Sequence, residues 1–169
     1  MRTTSDHGVR RIVVGVDGSA SSRAALQWAV WEASLTGASV DAVIAWHYPV
    51  PAGGYGFVPT AIYEDLDFSG AAQTVVDEMV ASTIGPDSDV NVRRLAIRGD
   101  PARVLLGAAQ GADMLVVGSR GHGAFASALL GSVSQRCVHH AACPVVVIHG
   151  MAPAASATAS PRHATAALP

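Results

Sequence analysis

Residues 114–135 read MLVVGSRGHGAFASALLGSVSQ, an apolar run followed by glycines at a regular spacing. The glycines that matter here are Gly118, Gly121 and Gly131, and Ser132 follows the last of them. Glycine at the end of a strand lets backbone N–H groups approach an anion without interference from a Cβ atom. A helix that begins beside Gly131 adds unpaired N–H donors and the positive end of its dipole. The stretch therefore predicts a phosphate cradle made of two segments.

The composition restricts the class of protein. The chain has 169 residues, 50% of them hydrophobic and 14% charged, which favours one folded domain with a sizeable core. The formal net charge is −2 and no block of Lys or Arg occurs, so no nucleic-acid partner is expected. No apolar run is long enough to cross a bilayer and no segment has the pattern of a signal peptide. We therefore expect a cytoplasmic protein with no membrane partner.

Buried strands and helices alternate along the chain. Strands are predicted over residues 10–17, 40–46, 90–97, 113–118 and 144–149, and helices over residues 20–35, 61–84, 101–110 and 132–140. This alternation predicts an α/β fold, an open parallel sheet with helices on both faces. The third strand carries Arg93 and Arg94, which places it at a sheet edge. A proline- and glycine-rich loop is expected over residues 47–59.

Residues at the predicted helix ends indicate how the helices start and stop. Ser19 and Asp100 are suited to cap helix N-termini, and Gly37 is suited to end the first helix. Ser132 and Gln135 match the S-x-x-Q capping-box pattern, although the Ser132 hydroxyl has a bound phosphate as its alternative partner.

Aromatic residues and a cysteine–histidine cluster have two interpretations each. Trp28 and Trp31 are interpreted as helix packing, with base stacking as the alternative. Tyr48, Tyr55 and Phe57 lie in or next to the loop that could fold over a ligand. The cluster of Cys137, His139, His140 and Cys143 has a zinc-like spacing, but no second Cys pair completes a site, so no metal site is predicted.

Two predicted strands end in small and polar residues. The first strand runs into Asp17 and Ser19, and the fourth runs into residues 118–121. Ligands of open parallel sheets bind beyond the carboxyl ends of the strands, where the strand order reverses. If these two strands are neighbours at that point, both turns face one pocket.

The chain resembles universal stress proteins of the ATP-binding type. The resemblance covers residues 11–149 and rests on VVGVDGSASSRAALQWA, on RGDPARVLL followed by ADMLVVGSRGHG, and on the signature G-x2-G-x9-G-[S/T] followed by HAACPVVVI. It implies a Rossmann-like, adenine nucleotide alpha hydrolase-like sheet of five parallel strands in the order 3-2-1-4-5. It also implies a homodimer that pairs through the fifth strand. The domain is expected over residues 10–150, between a flexible N-terminus (1–9) and a disordered Ala/Pro/Ser-rich tail (151–169).

The resemblance implies ATP bound across the ends of strands one and four. Asp17 is expected on the base or ribose and Ala45 on the adenine, with His122 as a candidate phosphate contact or a solvated loop residue. The other implied ATP-binding residues are Gly15, Ser19, Val117, Gly118, Ser119, Gly121, Gly131, Ser132, Val133 and Ser134. Mg²⁺ carried on the phosphates is an optional companion of the ATP, and ADP or a cyclic nucleotide is an open alternative.

Three functions remain open at this point. The preferred one is a nucleotide-dependent sensor or regulatory module in stress response, with protein partners that the sequence does not name. The others are a slow ATPase or autophosphorylating phosphotransferase, and an interaction module that needs no nucleotide. The sequence lacks the GxxxxGK[ST] motif, whose lysine neutralises charge during phosphoryl transfer, so no catalytic residue is assigned.

Overall fold

The computed structural model describes residues 10–48, 67–84, 88–121 and 130–149. Strands and helices alternate through these residues. The strands are β1 (Arg11–Gly15), β2 (Ser39–Trp46), β3 (Val92–Arg98), β4 (Met114–Gly118) and β5 (Val145–Ile148). The helices are α1 (Ala20–Thr36), α2 (Phe68–Thr83), α3 (Pro101–Ala108) and α4 (Ser132–His140). Each predicted element is present, while the predicted start of the second helix (61–66), most of the loop, both termini and the residues His122, Tyr55 and Phe57 lie outside the described residues.

The five strands form one parallel sheet in the order β3-β2-β1-β4-β5. Val13 of β1 lies opposite Asp41 of β2 and Leu115 of β4, so β1 is central. The predicted strand order and the edge position of β3 are confirmed. The order reverses between β1 and β4, and the carboxyl ends of these two strands therefore open a crevice.

Alternate residues of the central strands pack into two separate hydrophobic cores, one on each face of the sheet. Val14 packs with α1 and α2 on one face of the sheet, whereas Val13 packs with α3 and α4 on the other. Three consecutive residues of β1, Ile12, Val13 and Val14, are at most 3% exposed. A strand buried on both faces has no polar alternation, which explains why the apolar run in β1 is continuous.

The helix ends follow the predicted capping residues. The Ser22 N–H donates to Ser19 Oγ at 3.2 Å, and the Arg103 N–H donates to Asp100 Oδ1 at 3.0 Å. Gly37 ends α1 in the left-handed region at φ 70°. These three predictions are confirmed.

One local prediction is wrong, and a second is confirmed only in part. Gly131, with an extended backbone (φ −71°, ψ 161°), takes the N-cap position of α4, so Ser132 is the first helical residue and forms no capping box with Gln135. Trp28 packs against the α1–α2 core, but Trp31 is 55% exposed because it lies on the outer side of α1, with its ring centroid 6.3 Å from that of Trp28.

A buried carboxylate joins β1, β2 and β3. Asp41 is 1% exposed and accepts hydrogen bonds from Arg93 Nε (2.6 Å), Arg93 Nη2 (2.5 Å) and Arg11 Nη1 (3.0 Å). Burial favours the neutral acid, but the hydrogen bonds from Arg93 and Arg11 outweigh it and lower the pKa of Asp41. Arg11 also donates to the carbonyls of Ala108 (3.0 Å) and Gln110 (2.6 Å). The same arginine therefore fixes the end of α3 to the sheet.

Candidate functional site

A cavity of about 540 Å³ lies at the carboxyl ends of β1 and β4, on the face of the sheet covered by α3 and α4. Its size is within the range of small-molecule sites, and most of its walls are apolar. The described residues that line it are Gly15, Val16, Asp17, Ser22, Val43, Ala45, Pro101, Leu105, Val117, Gly118, Arg120, Gly121, Leu130, Gly131, Ser132, Val133 and Ser134.

Most of the site residues predicted from the sequence lie together in this cavity. They are Gly15, Asp17, Ala45, Val117, Gly118, Gly121, Gly131, Ser132, Val133 and Ser134. Ser19 and Ser119 do not line it: Ser19 caps α1, and Ser119 is 1% exposed between β4 and β5. The assignment of these residues to a nucleotide stays a prediction.

The turn after β1 presents Asp17 at the mouth of the cavity. Gly18 has φ 86°, a backbone conformation that side-chain-bearing residues rarely adopt. Beyond it, the Ser19 N–H donates to Asp17 Oδ1 at 2.9 Å, and the Asp17 N–H donates to Ser22 Oγ at 3.3 Å. The carboxylate is therefore oriented by the start of α1.

The turn after β4 packs tightly against the same helix start. A Cβ atom at Gly118 would lie 2.7 Å from Ser21 Oγ and 2.9 Å from the Ser22 backbone nitrogen. A Cβ atom at Gly121 would collide with Asp17 Oδ2. Gly118 is thus required by packing against the backbone of α1, whereas Gly121 leaves room for the Asp17 carboxylate.

The N-terminus of α4 forms the third wall of the cavity. The Gly131 N–H donates to the Ser119 carbonyl at 2.7 Å, which joins α4 to the β4 turn. The first-turn N–H groups of a helix have no partners inside the helix, and Gly131, the N-cap residue of α4, has no side chain with which to accept from them. The Ser134 hydroxyl donates to the Gly118 carbonyl at 2.6 Å, so its hydrogen is already used in joining the same two segments.

Helix α3 supplies lining residues that sequence reasoning missed, Pro101 and Leu105. Leu105 packs so close to β1 that a Cβ atom at Gly15 would lie 2.8 Å from Leu105 Cδ1. An ion pair between Arg136 Nη1 and Asp100 Oδ1, at 3.0 Å, joins α3 to α4. The segment RGDPARVLL, which includes the start of α3, is part of the family resemblance. That resemblance is the sequence signal from which a role of α3 in the site could have been predicted.

The charged part of the described lining consists of two residues. Among the described residues that line the cavity, Asp17 is the acid and Arg120 is the base. The described part of the chain contains no group of three His, Cys, Asp or Glu side chains arranged to hold a metal ion. Cys137 is fully buried in the α3–α4 core, and burial raises the pKa of its thiol to about 11.

A sequence profile of the universal stress protein family matches residues 8–149. The chain belongs to this family. A universal stress protein of Mycolicibacterium smegmatis is 38% identical over 146 residues, which cover 82% of this chain and 48% of the relative. The chain thus spans about half the length of the mycobacterial relatives that it matches.

Solved structures of universal stress proteins have the same fold. The universal stress protein UspA from Lactobacillus plantarum is 26% identical with a TM-score of 0.67, covering 85% of this chain and 99% of that one. A universal stress protein in complex with cAMP is also 26% identical, with a TM-score of 0.55 and coverage of 85% and 98%. In the described residues, no helix has both the length and the apolar character needed to span a membrane.

Proposed function

We propose that this universal stress protein binds an adenine nucleotide in the cavity at the ends of β1 and β4, with ATP as the expected ligand. The observation that carries the proposal is the meeting of three segments in that cavity: the Asp17 turn, the glycine turn after β4 and the N-terminus of α4, whose N-cap residue is a glycine. The protein then acts as a sensor or regulatory module in stress response, and the signal is the difference between its nucleotide-bound and nucleotide-free forms.

The cavity suits the two ends of a nucleotide. Val43, Ala45 and Leu105 offer an apolar surface to a purine ring, and the Asp17 carboxylate can accept hydrogen bonds from ribose hydroxyls. On the other side, the N–H groups at the start of α4 and the Arg120 guanidinium attract phosphate. A relative with the same fold and 26% identity has been solved in complex with cAMP, which supports an adenine nucleotide as ligand.

Any Mg²⁺ would be carried on the phosphates. Mg²⁺ requires six oxygen ligands in near-octahedral geometry, whereas the described lining contributes one carboxylate, Asp17. Its Oδ1 already accepts the Ser19 N–H at 2.9 Å. Phosphate oxygens and water would supply the remaining ligands.

We further propose a homodimer that pairs through β5, in the cytoplasm. Strand β5 is at the sheet edge, and its four apolar residues are each partly exposed. An apolar edge strand invites pairing with another copy. Sedimentation at several protein concentrations tests this: a chain that stays monomeric at all of them contradicts the dimer.

The test of function is native mass spectrometry of gently purified protein, followed by extraction of whatever nucleotide it retains. A mass increment equal to ATP, ADP or a cyclic nucleotide is expected. Incubation with ATP then separates the alternatives. A steady release of ADP that Gly131→Ala abolishes supports the ATPase, and a phosphate adduct on the chain supports autophosphorylation. A chain that neither retains nor takes up nucleotide supports the nucleotide-independent module and contradicts the proposal.

A further inference from the structure

Arg120 occupies a distinctive position in the cavity. It is the basic residue of the described lining, and it is an exposed residue. A Cβ atom at Gly131 would lie 3.5 Å from Arg120 Cα, so the arginine stands directly beside the N-cap of α4. The backbone of Arg120 therefore lies beside the positive end of the α4 dipole, and the charge of the arginine and the dipole both favour an anion in the cavity.

The backbone that carries Arg120 is fixed on three sides. The buried Ser21 hydroxyl of α1 donates to the Arg120 carbonyl. The preceding residue, Ser119, donates its N–H to the Ile148 carbonyl at 2.7 Å and accepts from the Gly131 N–H at 2.7 Å. The backbone of the turn that carries the cation is therefore fixed before a ligand arrives, which reduces the backbone entropy lost on binding.

The acidic residue of the described lining is Asp17, whose Oδ2 lies against Gly121, the residue that follows Arg120. A phosphate group is repelled by the carboxylate and attracted to Arg120. The longer and more highly charged the phosphate chain, the larger the contribution of that arginine.

We propose that Arg120 is a specificity-determining residue that makes the cavity favour nucleoside di- and triphosphates over monophosphates and cyclic nucleotides. This rests on the proposed function, because it assumes that the cavity binds an adenine nucleotide with its phosphates at α4. It assigns to one side chain the choice between ATP and a cyclic nucleotide.

The experiment is a calorimetric titration of the full chain, freed of nucleotide, with ATP, ADP, AMP and cAMP. Arg120→Gln removes the charge, Arg120→Lys keeps it without the planar fork, and Arg103→Gln removes an exposed arginine of α3 that does not line the cavity. Circular dichroism checks that each variant is folded.

We expect Arg120→Gln to reduce the affinity for ATP about tenfold or more and the affinity for ADP by less. The affinities for AMP and cAMP should change by less than about twofold. Arg120→Lys should fall between the wild type and Arg120→Gln for ATP, and Arg103→Gln should leave all four affinities close to the wild type. An equal loss for all four nucleotides, or no loss for ATP, overturns the specificity role while leaving nucleotide binding intact. A wild type that binds none of the four overturns the proposed function itself.

Discussion

Gly121 lies so close to Asp17 that a single methyl group at position 121 would collide with the carboxylate oxygen Oδ2. The turn after β4 and the turn after β1 are therefore fitted to each other across the switch point of the sheet. The two turns come from segments about a hundred residues apart in the sequence, and their fit defines one side of the cavity.

Gly121→Ala should reduce nucleotide affinity more than it reduces stability. The colliding atom is the end of a side chain, which can rotate away, so the fold adapts while the Asp17 carboxylate leaves its place. We expect the affinity for ATP to fall about tenfold and the free energy of unfolding to fall by less than about 1 kcal/mol. Calorimetry and urea unfolding measure the two quantities. A large loss of stability with unchanged affinity contradicts this.

Gly131→Ala should reduce nucleotide affinity from the α4 side of the cavity. Its backbone is extended, and among the described residues the nearest neighbour of a Cβ atom would be Arg120 Cα at 3.5 Å, so the described part of the fold accepts it. The methyl group would, however, stand between the β4 turn and α4, where phosphates are proposed to bind. We expect about a tenfold loss of affinity for ATP, with the thermal midpoint nearly unchanged. Unchanged affinity would place the phosphates elsewhere.

Gly118→Ala should destabilise the fold itself. Here the added methyl would meet backbone atoms of α1, including the Ser21 carbonyl carbon at 2.8 Å, and these cannot move without shifting the helix. We expect a loss of about 1–3 kcal/mol in the free energy of unfolding. The matched control is Gly107→Ala, inside α3, where no described residue comes within 4 Å of the Cβ position, and it should stabilise the chain by about 0.4–1 kcal/mol. Equal effects of the two substitutions contradict the close packing at Gly118.

The buried Asp41 should make the free energy of unfolding depend on pH. Because its pKa is lowered in the folded chain, Asp41 stabilises the fold above its usual pKa of 3.8, and this contribution is lost as the pH falls through the lowered value. Asp41→Asn should cost about 1–3 kcal/mol at neutral pH and reduce the loss of stability as the pH falls below about 4.

Asp100 is the comparison for that prediction, because the pKa of this exposed N-cap is also lowered, chiefly by the Arg103 N–H and then by Arg136. Urea unfolding of the wild type, Asp41→Asn and Asp100→Asn across this pH range separates the two carboxylates. If Asp41→Asn shows the same acid sensitivity as the wild type, Asp41 is not the group responsible.

The buried thiol of Cys137 should be unreactive while the chain is folded. Burial raises its pKa to about 11, so little thiolate is present near neutral pH. Burial also raises the pKa of Cys143. In Cys143→Ser, we expect a thiol reagent at about pH 8 to label Cys137 far more slowly than it labels the urea-unfolded chain. Equal rates in the folded and unfolded chains contradict the burial of this residue.

Much of the fold was predictable because its signals are local. The unbroken apolar residues of β1 predicted a strand buried on both faces, and Ser19, Gly37 and Asp100 marked helix ends through hydrogen bonds to nearby backbone groups. The strand order came from the family resemblance, and the sheet confirms it.

The missed features all depend on contacts between distant segments. Leu105 reaches the cavity only because α3 crosses over β1, and Asp41 is stabilised by arginines 30 and 52 residues away. The capping pattern at Ser132 failed because Gly131, one residue earlier, takes the extended conformation that joins α4 to the β4 turn.

The most direct test of the central claim is a calorimetric titration of nucleotide-free wild-type protein with ATP. The cavity predicts saturable binding of one ATP per chain, with a dissociation constant of roughly micromolar order from a few charge-assisted hydrogen bonds. No measurable heat at millimolar ATP, in protein shown to be folded, would contradict it.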